Sequence, residues 1–190
     1  MIALRCTARL LKRLRQPAKP PEPPPSDNPL GEWYADVDFI QREPFVVMLN
    51  AATGAGMVLP GRAADLRDLK LHAGQQFFKL LRHFDFDIAQ PRVEQELRAW
   101  EEQPVYAKTL DRSLLGSMRL FKDDAWLHFA YENRSLPEAA ARQWTGLFTH
   151  PSLPKHPRMR RHHRPIDLVR ERLLPSAEVI DLAARRRSAP

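Results

Sequence analysis

A chain of 190 residues with 43% hydrophobic and 28% charged residues can form one domain with a hydrophobic core, and this composition excludes a disordered protein. The single cysteine, Cys6, excludes an internal disulfide and a cysteine-based zinc site, and no apolar run approaches the ~18 residues of a membrane span. These features predict a reduced, cytoplasmic protein with no membrane partner.

The formal net charge of +7 is segregated along the chain. Residues 1–21 carry six Lys and Arg and residues 150–164 carry five, with no acid in either segment, whereas residues 22–149 carry a net charge of −5. The cations are therefore concentrated towards the two ends. Residues 1–16 also have the Arg-rich, acid-free composition of a transit peptide, but their periodicity favours a strand followed by a helix capped by Thr7.

A proline-rich spacer over residues 17–28 follows the first helix. Prolines at this density exclude helix and sheet, so we expect an extended spacer that tolerates shortening. Alternating apolar residues then predict three strands, over 33–41, 45–50 and 57–60, arranged as a meander. The Gly54-Ala55-Gly56 segment lies between two of these strands, and we interpret it as a hairpin connection rather than a phosphate-binding loop.

Helical periodicity dominates the rest of the chain, with one further strand over 105–110. Asp65 is expected to cap the first long helix, and Pro91 to open a second in which Glu96 points outward. The sequence predicts an α+β fold: a small, mostly antiparallel sheet, with a first strand near 1–6, covered by three or four helices. Six residues on apolar positions are expected to share one core, namely Trp33, Val37, Val47, Leu97, Met118 and Trp144.

The predicted organisation is an α+β core domain over 1–149 and a region over 150–190 that packs on the same domain. The second region comprises a basic proline-rich loop, a short helix from Pro165 and a charged tail. Its loop has a high density of Lys and Arg residues. Five cations without an acid, which could pair with phosphates, are Lys155, Arg158, Arg160, Arg161 and Arg164. The alternative is that they cover the protein's own acidic middle.

Metal sites are weakly indicated. Asp36 and Asp38 fall on one face of a predicted strand, close enough to share a divalent cation, but no further oxygen ligand can be named. The basic loop holds a histidine cluster in which neighbouring cations oppose a metal ion, and its members are His150, His156, His162 and His163. We predict no metal and no cofactor.

Several segments resemble a bacterial family known only as a domain of unknown function. They are Arg5-Cys6-Thr7 with Leu10-Leu11-Lys12, then 29–35 (PLGEWYA), Asp65-Leu66 with Leu69, Lys108-Thr109, 112–118 (RSLLGSM) and Arg164-Pro165-Ile166. The chain departs from the family pattern in its longer spacer and in having Asp111 and Arg119 where asparagine is common. The resemblance implies a bacterial cytoplasmic protein and no particular activity.

Two functions remain open at this stage. The leading hypothesis is a non-catalytic binding or adaptor domain that engages an anionic partner, nucleic acid or an acidic protein, through the basic loop and through Arg112 and Ser113 at a helix start. The alternative is a hydrolase or nuclease that uses Asp36, Asp38 and the segment 112–117. The sequence does not determine the oligomeric state.

Overall fold

A computed structural model describes residues 1–132, 134–146 and 163–174. The strands are β1 (Ala3–Cys6), β2 (Trp33–Ile40), β3 (Glu43–Asn50), β4 (Gly56–Pro60) and β5 (Val105–Lys108). The helices in the described residues are α1 (Ala8–Arg13), α2 (Ala63–Arg67), α3 (Leu69–His83), α4 (Pro91–Glu101), α5 (Arg112–Tyr131), α6 (Leu136–Thr145) and α7 (Pro165–Leu173). The α+β class is confirmed.

The five strands form one sheet in the order β4-β3-β2-β1-β5. The predicted meander is present, because β2 pairs antiparallel with β3 and β3 with β4. β1 pairs parallel with both β2 and β5, so the sheet is mixed, although the meander holds most of the paired residues. The parallel pairings arise because helical or extended crossovers precede β2 and β5, and strand alternation alone does not reveal them.

The sheet separates two hydrophobic cores, whereas one core was expected. Trp33 and Val37 project into the larger core, which is packed by α3, α4, α6 and α7, together with the shorter α1 and α2. Val47 projects to the opposite face, where α5 places Met118 against it. Five of the six predicted core residues are buried and Leu97 is only partly buried. More helices cover the sheet than the three or four expected, partly because the helix predicted from Asp65 is two helices that meet at Asp68.

The interpretation of Gly54-Ala55-Gly56 as a hairpin is confirmed, because these residues lead from β3 into β4. Gly54 has a φ of 72°, a backbone conformation that favours glycine. A Cβ at Gly56 would lie 1.8 Å from the ring of Phe121 on α5. The glycine therefore allows α5 to approach the sheet closely.

The spacer lacks regular secondary structure, as predicted, but it packs on the body of the protein. Glu22 forms an ion pair with Arg5, and Pro23 is buried. Asp27 accepts a hydrogen bond of 2.9 Å from the amino group of Met1. These contacts argue against the expected tolerance to shortening.

Glu96 is buried on α4, which corrects the prediction that it points outward. Its carboxylate accepts hydrogen bonds from the Asn28 side chain and from the backbone N–H of Leu30. These hydrogen bonds fasten the segment before β2 to α4. In the described part of the chain, no helix has the length and apolar character needed to span a membrane.

Candidate functional site

Residues of several sequence motifs lie near Arg5, at the end of β1 on the face that α5 partly covers. The Arg5 side chain is only 6% exposed. Its Nε and Nη2 donate to the two carboxylate oxygens of Glu32 at 2.7 and 2.8 Å, and its Nη1 donates to the Lys108 carbonyl at 3.3 Å. Hydrogen bonds to Glu32 are the main factor that raises the pKa of Arg5, with Glu22 adding to the effect.

The same neighbourhood contains the start of α5. Asp111 caps this helix by accepting hydrogen bonds from the backbone N–H groups of Ser113 (2.7 Å) and Leu114 (3.2 Å). Tyr34 is buried beside Asp111 and Arg5, and its burial raises the pKa of the phenol. Arg5 is therefore compensated by carboxylates in a polar group that lies next to the start of α5.

Asp36 and Asp38, the two carboxylates considered for a metal ion, share a lysine. Lys122 on α5 forms an ion pair with Asp36 and lies 3.3 Å from the Oδ2 of Asp38. Thr7 donates its hydroxyl hydrogen to Asp36, and Arg9 lies 3.6 Å from Asp38. Among the residues that the structure describes, no group of three or more His, Cys, Asp or Glu is arranged to hold a metal ion.

The predicted anion-binding residues are not brought together by the described structure. Arg112 is exposed at the first position of α5, and Ser113 follows it, half-buried. Arg164 lies at the start of α7, where it forms two hydrogen bonds to Asp167, at 2.8 and 2.9 Å. The other predicted cations lie outside the described residues, and they are Lys155, Arg158, Arg160 and Arg161. Of the predicted histidine cluster, only His163 is described, and it is buried.

A cationic cleft opens where α1 leads into the spacer, and we call it the arginine cleft. Its volume is about 610 Å³, and Arg13, Arg15 and Arg67 line it together with Tyr106 and polar or apolar neighbours. No acidic residue is among the described residues that line it. An excess positive potential is therefore expected inside a concave surface.

The local backbone makes the arginine cleft compatible with an anion. Arg15 has a φ of 56°, and its N–H donates to the Lys12 carbonyl while that of Gln16 donates to the Leu11 carbonyl. These bonds satisfy carbonyls at the negative end of α1 that would otherwise face a ligand. Burial raises the pKa of Tyr106 to about 12, so its phenol remains protonated at neutral pH.

Comparison with known proteins assigns the chain to a family. Residues 3–167 match the family model described as a domain of unknown function, DUF6933. The chain belongs to the DUF6933 family. No curated protein and no solved structure matches it.

Two residues of the site in this DUF6933 domain, Lys122 and Arg67, were not predicted from the sequence. Lys122 lies four residues after Met118, beside the apolar face of α5, and this spacing could have indicated that it reaches the sheet. Arg67 lies in the acidic middle of the chain and carries no local signal. Its approach to Arg13 and Arg15 depends on how α2 is placed against α1, which is a long-range property.

Proposed function

We propose that this protein is a non-catalytic binding domain that engages an anionic, phosphate-bearing partner, with nucleic acid as the preferred class. The observation that carries the proposal is the arginine cleft, because three arginines line it and no acidic residue is among its described lining residues. Guanidinium groups match the geometry of phosphate oxygens through paired N–H donors, which favours phosphate over isolated carboxylates.

The charges of the cleft are available for a ligand. Arg15 and Arg67 are exposed, and neither forms an ion pair with any residue in the described ranges. Arg13 also lines the cleft, and its guanidinium donates to the Gly61 carbonyl at 3.0 Å and lies over the ring of Phe39, beside the cleft. Two arginines that form no ion pair in the described part of the chain, next to a third, suit a ligand that presents more than one anionic group.

The hydrolase or nuclease alternative receives less support from the geometry. Its two carboxylates, Asp36 and Asp38, are already compensated by Lys122 and Arg9. An activated water or metal would have to displace these ion pairs, which join α5 and α1 to the sheet. Binding without catalysis is therefore the function that we favour.

The proposal is tested by titrating the protein with a fluorescent DNA duplex, a single strand of equal length and a labelled polyglutamate peptide, each at two salt concentrations. We expect the nucleic acids to bind more tightly than polyglutamate, with a slope of about −0.9 in log K per log salt for each duplex phosphate neutralised. The double variant R15Q/R67Q is expected to weaken binding and flatten this slope.

The matched control is R42Q/K79Q, which removes two exposed charges outside the cleft. It is expected to weaken binding less than R15Q/R67Q does. Equal effects of the two double variants would contradict a specific role for the cleft. Absence of salt-dependent binding to either nucleic acid would contradict the proposal itself, and tighter binding of polyglutamate would reassign the partner to an acidic protein.

A further inference from the structure

The outer face of α5 carries a row of large apolar side chains on the surface. Leu120 is 71% exposed, Leu127 50% and Tyr131 74%. Gly116, Leu120, Leu127 and Tyr131 follow one another at intervals of four, seven and four residues, which places them along one side of a helix. The opposite side packs against the sheet through Leu114, Met118, Phe121 and Ala125. We call the exposed row the outer α5 face.

Charge is distributed unevenly along this helix. Among the charges of α5 that do not pair with the sheet, Arg112 and Arg119 lie in the first half and Asp123 and Asp124 lie in the second, whereas Lys122 is paired with Asp36. Arg119 and Asp123 are exposed and form no ion pair within residues 1–132, 134–146 and 163–174. A basic first half and an acidic second half are complementary to a second copy of the same helix in the antiparallel direction.

The apolar residues agree with the same arrangement. Gly116 and Leu127 lie at equal distances on either side of the midpoint of Arg112–Tyr131, so antiparallel pairing about that midpoint places Leu127 of one copy over Gly116 of the other. A Cβ at Gly116 would meet nothing within 4 Å, so the space above it is open to an incoming side chain. Leu120 lies next to the midpoint and would meet Leu120 of the second copy.

We propose that the outer α5 face is a self-association surface that joins two copies of this chain through antiparallel α5 helices. In this pairing, Arg119 of each copy faces Asp123 of the other, because both lie on the same flank of the apolar row. The twenty-residue helix is about 30 Å long. Two such helices bury about 1,000 Å² in total, at the low end of specific interfaces, so we expect a reversible dimer with a dissociation constant in the micromolar range.

The test is sedimentation velocity of the full chain over a concentration series from about 1 to about 200 μM, chosen to bracket that range. The wild type is expected to shift from monomer to dimer. L120E/L127E is expected to weaken dimerisation at least about 100-fold, because it places four carboxylates in the interface. Both substitutions lie on the surface, and circular dichroism with thermal melting verifies that the variant is folded.

Charge reversal tests the antiparallel direction separately. R119D and D123R are each expected to weaken dimerisation by about 10-fold, because each creates like-charge contacts across the interface. The double variant R119D/D123R restores the opposite charges and is expected to recover the wild-type association. A wild type that remains monomeric throughout the series, or an L120E/L127E variant that associates like the wild type, would overturn the proposal. Failure of the double variant to recover would overturn the antiparallel pairing.

Discussion

Glu96 provides a quantitative test of how burial tunes a charge in this fold. The residue is 0% exposed. Its carboxylate oxygens accept from Asn28 Nδ2 at 3.0 Å each, and Oε2 accepts from the Leu30 N–H at 2.9 Å. Burial is the dominant influence and raises the pKa of Glu96 from 4.5 to about 7, although the hydrogen bonds oppose it.

The sign of the resulting pH dependence follows from proton binding. Between pH 4.5 and about 7, the folded protein binds the Glu96 proton more tightly than the unfolded chain does. The free energy of unfolding contributed by this group is therefore highest below pH 4.5, falls as the pH rises through this window, and is constant above it. The shift corresponds to a decrease of about 3 kcal/mol across the window.

The variant E96Q removes the titration with little change of shape. Its amide oxygen can accept from Leu30, and its NH2 group can donate to Asn28 Oδ1 once the Asn28 amide turns over; Oδ1 has no hydrogen-bond partner in the described part of the chain. Urea unfolding from pH 4.5 to 8.5 gives the free energy of unfolding of both proteins. We expect E96Q to gain about 3 kcal/mol relative to the wild type between the two ends of this range.

The control variant is E101Q, which replaces an exposed glutamate on the same helix. Its free energy of unfolding should change with pH in parallel with that of the wild type. Wild-type and E96Q curves that stay parallel over the whole range would refute the reasoning. If the free energy of unfolding of the wild type rises with pH relative to that of E96Q, the predicted pH dependence has the wrong sign. That result would mean that the hydrogen bonds outweigh burial in setting the pKa of Glu96.

Three other perturbations follow from the packing and the charge. G56A is expected to destabilise the protein by about 1–3 kcal/mol, because its Cβ would overlap Phe121; urea unfolding checks this, and a neutral result would mean that α5 shifts freely. Deleting residues 20–25 should lower the thermal midpoint by several degrees, since it removes the ion pair of Glu22 with Arg5, and an unchanged midpoint would show that the spacer packs without contributing stability. A triple alanine variant in the basic loop should flatten the salt dependence of DNA binding without changing the melting curve, and an unaltered slope would exclude the loop from the interface. Its substitutions are R158A, R160A and R161A.

Local pattern was sufficient for most of the elements. β2, β3 and β4 lie within two residues of their predicted bounds, because alternating apolar residues and turn residues are encoded next to one another. The parallel pairing of β1 with β5 was not predictable in this way, since its partners lie about a hundred residues apart and their pattern fits either direction. The division into two cores depends on the packing of α5 against β2 and β3, which is also a long-range contact.

In the candidate site, too, the features encoded by neighbouring residues were predicted more successfully than the others. Thr7 was correctly expected to cap α1, and the basic N-terminal segment does supply two of the three arginines in the cleft. Glu96 was assigned to the surface because acidic residues surround it in sequence. Its position three residues after Val93 and four before Trp100 places it on the buried side of α4. For Glu96, helical spacing was therefore a better guide to burial than residue type.

The position of β1 inside the sheet determines the order in which the chain can assemble. β1 is flanked by β2 and β5, so its outer edge stays open until residues 105–108 have been synthesised and have docked. The meander of β2, β3 and β4 closes through short hairpins and can form earlier, at a lower cost in loop entropy. The first strand in the sequence is thus among the last to be completed during synthesis, and until then its exposed edge is open to pairing with other chains.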